Sequence, residues 1–335
     1  MRLEQFSYRR HPETIRRVVA IAASATLGLC SSLAAAQSGA AKTPSTGQTH
    51  QKSAALQPGQ QTFSSAMQAS HTLVNAIQND DQPTLLKILG SNAKEIISSG
   101  DDVEDKADRD QFVQKYKQMH RLVIEPDGTT TLYIGAENWP TPIPLARKGS
   151  SWYFDTAAGK EEILYRRVGK NEMTAIQVCG ELVDAEKEYY GQAHDGDKSP
   201  QYAQKFLSDP GKHNGLYWQT SAGETASPIG PLVAWAANDG SAEATAQARQ
   251  PFEGYYFQIL KGEGAKHERS YIVDGKMTRG FAFVAYPAEY RSSGVMTFVV
   301  NQDGIVYEKD LGPKTADIVK TLTQYSRDAS WRKAD

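Results

Sequence analysis

The chain has 335 residues, 39% of them hydrophobic and 23% charged, with a formal net charge of −2. That length suits two domains of about 100–150 residues each, with enough apolar content to bury real cores. The near-neutral balance argues against a nucleic-acid protein, whose domain carries a clustered basic surface.

Arg9, Arg10, Arg16 and Arg17 precede an apolar run from Val18 to Leu33, and Ala34-Ala35-Ala36 follows. A basic stretch, a short apolar stretch and small residues make a secretory leader, with cleavage expected after Ala36. A membrane-spanning helix is the lesser reading, because the apolar run is short and holds Ser and Thr. Arg16-Arg17 suggests twin-arginine export, but Val18-Val19-Ala20 suits that signal poorly, so general secretion is expected. Leu29 before Cys30 argues against a lipid anchor. Removing residues 1–36 takes five arginines and two glutamates and leaves Cys179 as the one cysteine. A single thiol makes no internal bridge, so both domains must stand on their cores.

Residues 37–61 are polar and aperiodic and read as a flexible linker. Phe63, Met67, Ser70, Val74 and Ile77 then fall on one helical face. Asp81 reads as an N-cap, with Pro83 in the first turn and Gly90 past the end. A charged helix is expected from Val103 to His120, burying Ala107, Phe112, Tyr116 and Met119. Strands are expected over 122–124, 129–134, 143–147 and 152–154, with turns at Pro126-Asp127-Gly128 and Lys148-Gly149-Ser150.

A long helix is expected from Lys160 to about Ala193, with Gly169 as a break. Its apolar stripe is Met173, Ile176, Cys179, Val183 and Tyr190, while Glu186 and other charges cover the remaining faces. Tyr202 to Leu207 reads as a short helix stopped by Asp209-Pro210-Gly211. Another short helix spans Leu232 to Ala237, and Ser241 to Gln250 is a helix or a loop. Runs at 254–260, 280–287 and 295–307 then form an antiparallel meander. Asp303-Gly304 there supplies the positive-φ positions of a tight turn.

The order of helices and strands from Phe63 to Asp155 resembles the cone-shaped fold of the nuclear-transport-factor-two-like superfamily. The helix followed by Phe281-Ala282-Phe283-Val284-Ala285-Tyr286-Pro287 and Thr297-Phe298-Val299-Val300-Asn301-Gln302-Asp303-Gly304 resembles type IV pilin and pseudopilin heads. Filament subunits keep an apolar N-terminal helix, however, whereas this chain has an Ala-x-Ala cut and a polar linker. Over nearly all of the expected mature chain the sequence resembles a bacterial exported family catalogued as domain of unknown function 2950. Trp139-Pro140-x-Pro142-Ile143-Pro144-Leu145, Trp152-Tyr153-Phe154-Asp155, Pro210-Gly211-Lys212-His213-Asn214-Gly215-Leu216-Tyr217-Trp218 and Ser227-Pro228-Ile229-Gly230-Pro231 carry that resemblance. It brings no activity. The expected fold is therefore α+β in two domains: a leader over 1–36, a linker over 37–61, a cone-like domain over 62–168, and a helix-plus-sheet, pilin-like domain over 169–335.

Lys212, His213, Tyr217 and Trp218 form the candidate contact surface, a cationic and aromatic cluster suited to a sugar, a carboxylate or a peptide. Pro210-Gly211 marks a structural turn there, and the aromatics are equally suited to capping a sheet. Trp139, Trp152 and Tyr153 are candidate cavity lining, or core filling, which is favoured. Asp195 and Asp197 are a weak calcium candidate, because the sixth and twelfth positions from Asp195 are Pro200 and Phe206 where an EF-hand needs Gly and Glu. Cys179 with His194 or His213 is a poor thiol–imidazole pair, since Cys179 sits on the apolar stripe. His267-Glu268 lacks the spaced partner a zinc site needs, and no nucleophile elbow, phosphate loop or dinucleotide fingerprint occurs. No catalytic residue, metal or cofactor is assigned.

The function expected is a non-catalytic periplasmic or secreted binding or assembly protein. Its partner would be a protein, peptide or glycan of the envelope, with no nucleic acid and no membrane span once the leader is gone. An envelope hydrolase or other enzyme is one alternative, and a soluble pseudopilin-like accessory of a secretion or pilus system is another.

Overall fold

The computed structural model describes residues 56–98, 102–220, 224–237, 250–264 and 269–334. The leader, most of the linker, nearly all of Ser241 to Gln250, and His267-Glu268 lie outside them. The chain is α+β and divides into two compact units after Ile163.

In the first unit α1 covers Ala66–Gln78, α2 Gln82–Leu89, α3 Lys94–Ile97 and α4 Asp102–Gln118. Ser65 caps α1 by accepting from Gln68 N, and Asp81 caps α2 by accepting from Thr84 N at 3.0 Å. Gly90 closes α2 at φ 87°, a backbone state that favours glycine. Strands β1 (His120–Ile124), β2 (Thr130–Ile134), β3 (Trp139–Pro140), β4 (Leu145–Lys148) and β5 (Ser151–Phe154) form an antiparallel sheet ordered β1-β2-β4-β5, with β3 on β2. Leu73, Ile77, Leu85, Ile88, Phe112 and Phe154 fill the core, each worth about 1.5–3 kcal/mol of transfer free energy.

Three expectations are corrected here. Met67 is 51% exposed, and Ala107 is exposed on α4 while Asp105 and Arg109 are buried. Arg109 pairs through its Nε with Asp80 at 3.1 Å, while its Nη1 is buried without a hydrogen-bond partner among the described residues. The last residues of the polar linker are tied down: Gln60 is buried and its amide donates to the Ile88 and Phe154 carbonyls at 3.0 and 2.8 Å.

Helix α5 runs over Thr156–Tyr190, and the division between the units falls within it. Gly169 does not break it. A glycine inside a helix costs about 1 kcal/mol against alanine, which the turns on either side absorb. The second unit continues with α6 (Pro231–Trp235), β6 (Tyr255–Leu260), β7 (Gly262–Glu263), β8 (Arg269–Ser270), β9 (Ile272–Val273) and β10 (Lys276–Met277). Then come β11 (Ala282–Pro287), β12 (Met296–Asn301), β13 (Tyr307–Asp310), α7 (Thr315–Lys320) and β14 (Arg332–Lys333). The main sheet is antiparallel in the order β14-β13-β12-β11-β6.

Every residue of β11 is buried. A central strand covered on both faces reads as a continuous apolar run, and Ala282-Phe283-Val284-Ala285-Tyr286 is such a run. In the turn after β12 only Gly304 has positive φ, at 75°, and its N–H returns to the Asn301 carbonyl at 3.0 Å. Asp303 instead accompanies Asn301 in side-chain bonds.

The buried stripe of α5 is Ala175, Val178, Cys179, Leu182, Val183, Glu186 and Tyr189. Met173, expected inside, is 70% exposed. Residues 202–207 are not a helix. Their backbone donors are spent elsewhere: Tyr202 N on the Met277 carbonyl and Ala203 N on Glu186 Oε2, both at 2.8 Å. No helix among the described residues is long and apolar enough to cross a membrane.

Candidate functional site

The loop from Asp209 to Trp218 is built by local chemistry. Pro210 and Gly211 occupy the two central positions of a turn closed by Lys212 N on the Asp209 carbonyl at 3.0 Å. Gly211 takes φ 73°, the positive value that such a turn requires at its third residue. Asp209 and Asn214 then lock each other: Asp209 N donates to Asn214 Oδ1 at 3.0 Å, and Asn214 Nδ2 donates to Asp209 Oδ2 at 2.7 Å. Lys205 also pairs with Asp209, and these two partners hold its carboxyl below the usual carboxylate range. Gly215 is required by contact, since a Cβ there would lie 2.8 Å from the Leu207 backbone.

His213 is gripped through its main chain. Its N–H is shared by both Asp195 carboxylate oxygens at 3.0 Å, and its carbonyl accepts from the Tyr189 hydroxyl at 2.8 Å. Its ring stacks on Trp218, with centroids 4.5 Å apart. His194 lies 5.9 Å from Trp218 on one side and stacks on Tyr189 at 4.0 Å on the other. The result is a column of four rings, Tyr189, His194, Trp218 and His213, at the C-terminal end of α5. Burial raises the Tyr189 phenol, helped by the carboxylates of Asp195, Glu186 and Asp197, so it stays a hydrogen-bond donor.

The structure brings the four predicted contact residues together but gives them different exposures. Lys212 is exposed, and His213 and Tyr217 are half-buried. Trp218 is only 6% exposed and sends its Nε1–H to the Thr225 carbonyl at 3.1 Å. It supports His213 from within. Asp195 and Asp197, the weak calcium candidate, are spent on the protein. Asp195 holds His213, while Asp197 takes Lys276 Nζ at 2.8 Å and the Gln201 amide, which lower its carboxyl. Among the described residues no group of three or more His, Cys, Asp or Glu converges on one point.

Cys179 is fully buried in the core of the second unit, and desolvation pushes its thiol up to about 12. A thiol held there supplies no nucleophile at neutral pH. In the first unit Tyr153 is buried, and Trp139 and Trp152 are half-buried against the core. Arg147 stands 5.9 Å over the Trp152 ring. The cavity described in that unit, of about 400 Å³, is lined by Gln78, Asp110, Val113, Gln114 and Lys117, and by none of those aromatics.

A groove that sequence reasoning missed adjoins the loop. It has a volume of about 340 Å³, and Tyr189, Gln201, Tyr202, Gln204, Lys205 and Lys261 are among its walls, with Asn214 of the loop. Beside Tyr189 and Tyr202 lies Glu186, fully buried, with Oε2 on Ala203 N and no partner for Oε1. Burial raises its carboxyl well above 4.5, against the smaller opposing effect of the bond from Ala203 N–H. The available sequence signal was the spacing Leu182, Glu186, Tyr189, which places Glu186 on the buried face.

A family model described as a protein of unknown function, DUF2950, matches residues 60–334. The chain belongs to that family. The match takes in nearly all described residues of both units, so the loop, the ring column and the groove lie within the DUF2950 region. No curated protein and no solved structure matches the chain.

Proposed function

We propose that this DUF2950 protein is an exported binding or assembly protein of the bacterial envelope, working in the periplasm or outside the cell through the loop from Lys212 to Trp218. The observation that carries this reading is the fixing of His213 in advance. Two carboxylate oxygens, a phenol and an indole face hold it before any partner arrives. A surface ordered beforehand loses little freedom on association, which is how a small contact gains affinity. The basic and apolar stretches ahead of Ala36 support export. The packing of α5 residues with an antiparallel sheet in one core supports a pilin-like head for the second unit, and the helices on the first sheet support a cone-like module.

Because His213 is anchored through its backbone, its side chain can be removed without releasing the loop. Lys212→Ala with His213→Ala is expected to abolish retention on envelope fractions (cell wall, outer membrane and periplasmic extract). The melting temperature should stay within about 2 °C of the parent, as for surface substitutions. Retention unaffected by the double substitution, or turnover of an envelope substrate by the parent chain, would overturn the proposal.

A further inference from the structure

We infer that the groove walled by Tyr189, Gln201, Tyr202, Gln204, Lys205 and Lys261 is a binding site for an acidic saccharide, one or two sugar units carrying a carboxylate. The inference rests on the binding-protein reading and supplies the ligand class for the same region, since Asn214 belongs to both loop and groove.

The polar groups of the groove are sorted by what they have left to offer. Gln201 gives one amide N–H to Asp197, and Gln204 gives one of its own to the Gly275 carbonyl at 2.8 Å. Each retains a second N–H and a carbonyl oxygen, a donor and an acceptor suited to a hydroxyl. Tyr202 adds a phenol, able to give and take a hydrogen bond. These groups match the vicinal hydroxyls of a sugar.

The cations set the charge. Lys205 is already paired with Asp209, whereas Lys261 has no carboxylate partner among the described residues. Lys261 is held in place by its backbone, its N–H on the Thr323 carbonyl and its own carbonyl taking Tyr271 N–H. An exposed ammonium on a fixed backbone beside acceptors for hydroxyls calls for an anion on a polyol. The volume lies at the low end for small-ligand pockets, which limits the occupant to a short unit.

The probes are digalacturonate, the neutral disaccharide cellobiose and the dipeptide Ala-Asp. Each is titrated into the full chain by calorimetry and saturation-transfer NMR. Digalacturonate is expected to bind, cellobiose at least about tenfold more weakly, and Lys261→Ala should weaken digalacturonate about tenfold, the size of one charge-assisted bond. Gln204→Ala should weaken both saccharides alike. No transfer from digalacturonate at millimolar concentration would overturn the inference. So would equal affinity for cellobiose, tighter binding of Ala-Asp, or indifference to Lys261→Ala in a folded variant. The two readings separate cleanly. Envelope retention lost in Lys212→Ala with His213→Ala, together with silence from all three probes, sinks the groove and leaves the loop standing.

Discussion

The hydroxyl of Tyr189 offers a one-atom test of how the contact loop is held. Tyr189→Phe keeps the ring that stacks on His194 at 4.0 Å and deletes only the bond to the His213 carbonyl at 2.8 Å. A partly buried hydrogen bond of this kind contributes about 0.5–1.5 kcal/mol net. In a unit the size of Leu164–Asp335 each kcal/mol moves the melting temperature by about 2–4 °C, so a fall of about 1–6 °C is expected. Tyr189→Ala also empties a ring site that is 3% exposed. It should cost about 3–5 kcal/mol and 6–20 °C. Calorimetric unfolding of the two variants beside the parent gives both numbers. On the binding side, loosening His213 can weaken retention by no more than about tenfold, the worth of the lost bond. If Tyr189→Phe melts with the parent, or falls as far as Tyr189→Ala, the hydroxyl does not hold the loop as argued.

Glu186→Gln tests the buried carboxyl through pH. A carboxyl raised in the folded state binds its proton more tightly there, so its contribution is fully present below 4.5 and is lost as pH climbs toward the folded value. The variant and the parent should therefore melt together at about pH 4, and the variant should melt higher at about pH 8. A gap that is constant with pH would refute this. Cys179 should resist thiol reagents in the native chain and react on unfolding, as its burial and a thiol pushed up to about 12 require; fast native labelling would contradict it. Gly294→Ala forces a Cβ against the ring of Tyr255, a core residue. Overpacking of that kind costs about 1–3 kcal/mol, and an unchanged melting temperature would show that Tyr255 yields.

Elements fixed by local chemistry were legible in the sequence. Asp81, Pro83 and Gly90 announced α2, and the alternation of Thr130 to Ile134 announced β2, because caps and periodicity act within a few residues. The same local reasoning misread Tyr202 to Leu207, whose donors go to Met277 and Glu186, partners far away in sequence. On α5 it placed Cys179 and Val183 in the core, where they lie, but put Met173 inside and Glu186 outside. A carboxyl is assigned to solvent by composition, and only tertiary packing overrides that. For the candidate site, the loop was visible from Pro210-Gly211 and its aromatics. The clamp by Asp195 and Tyr189, and the groove with Lys261 from another element, arise only when distant segments meet.

Hydrogen–deuterium exchange of the full chain, with and without envelope extract, reads the contact surface directly. Protection is expected over Asp209–Trp218 and over 201–205, with the first unit unchanged. Protection confined to the region of Trp139 and Trp152, or none anywhere, would contradict the account.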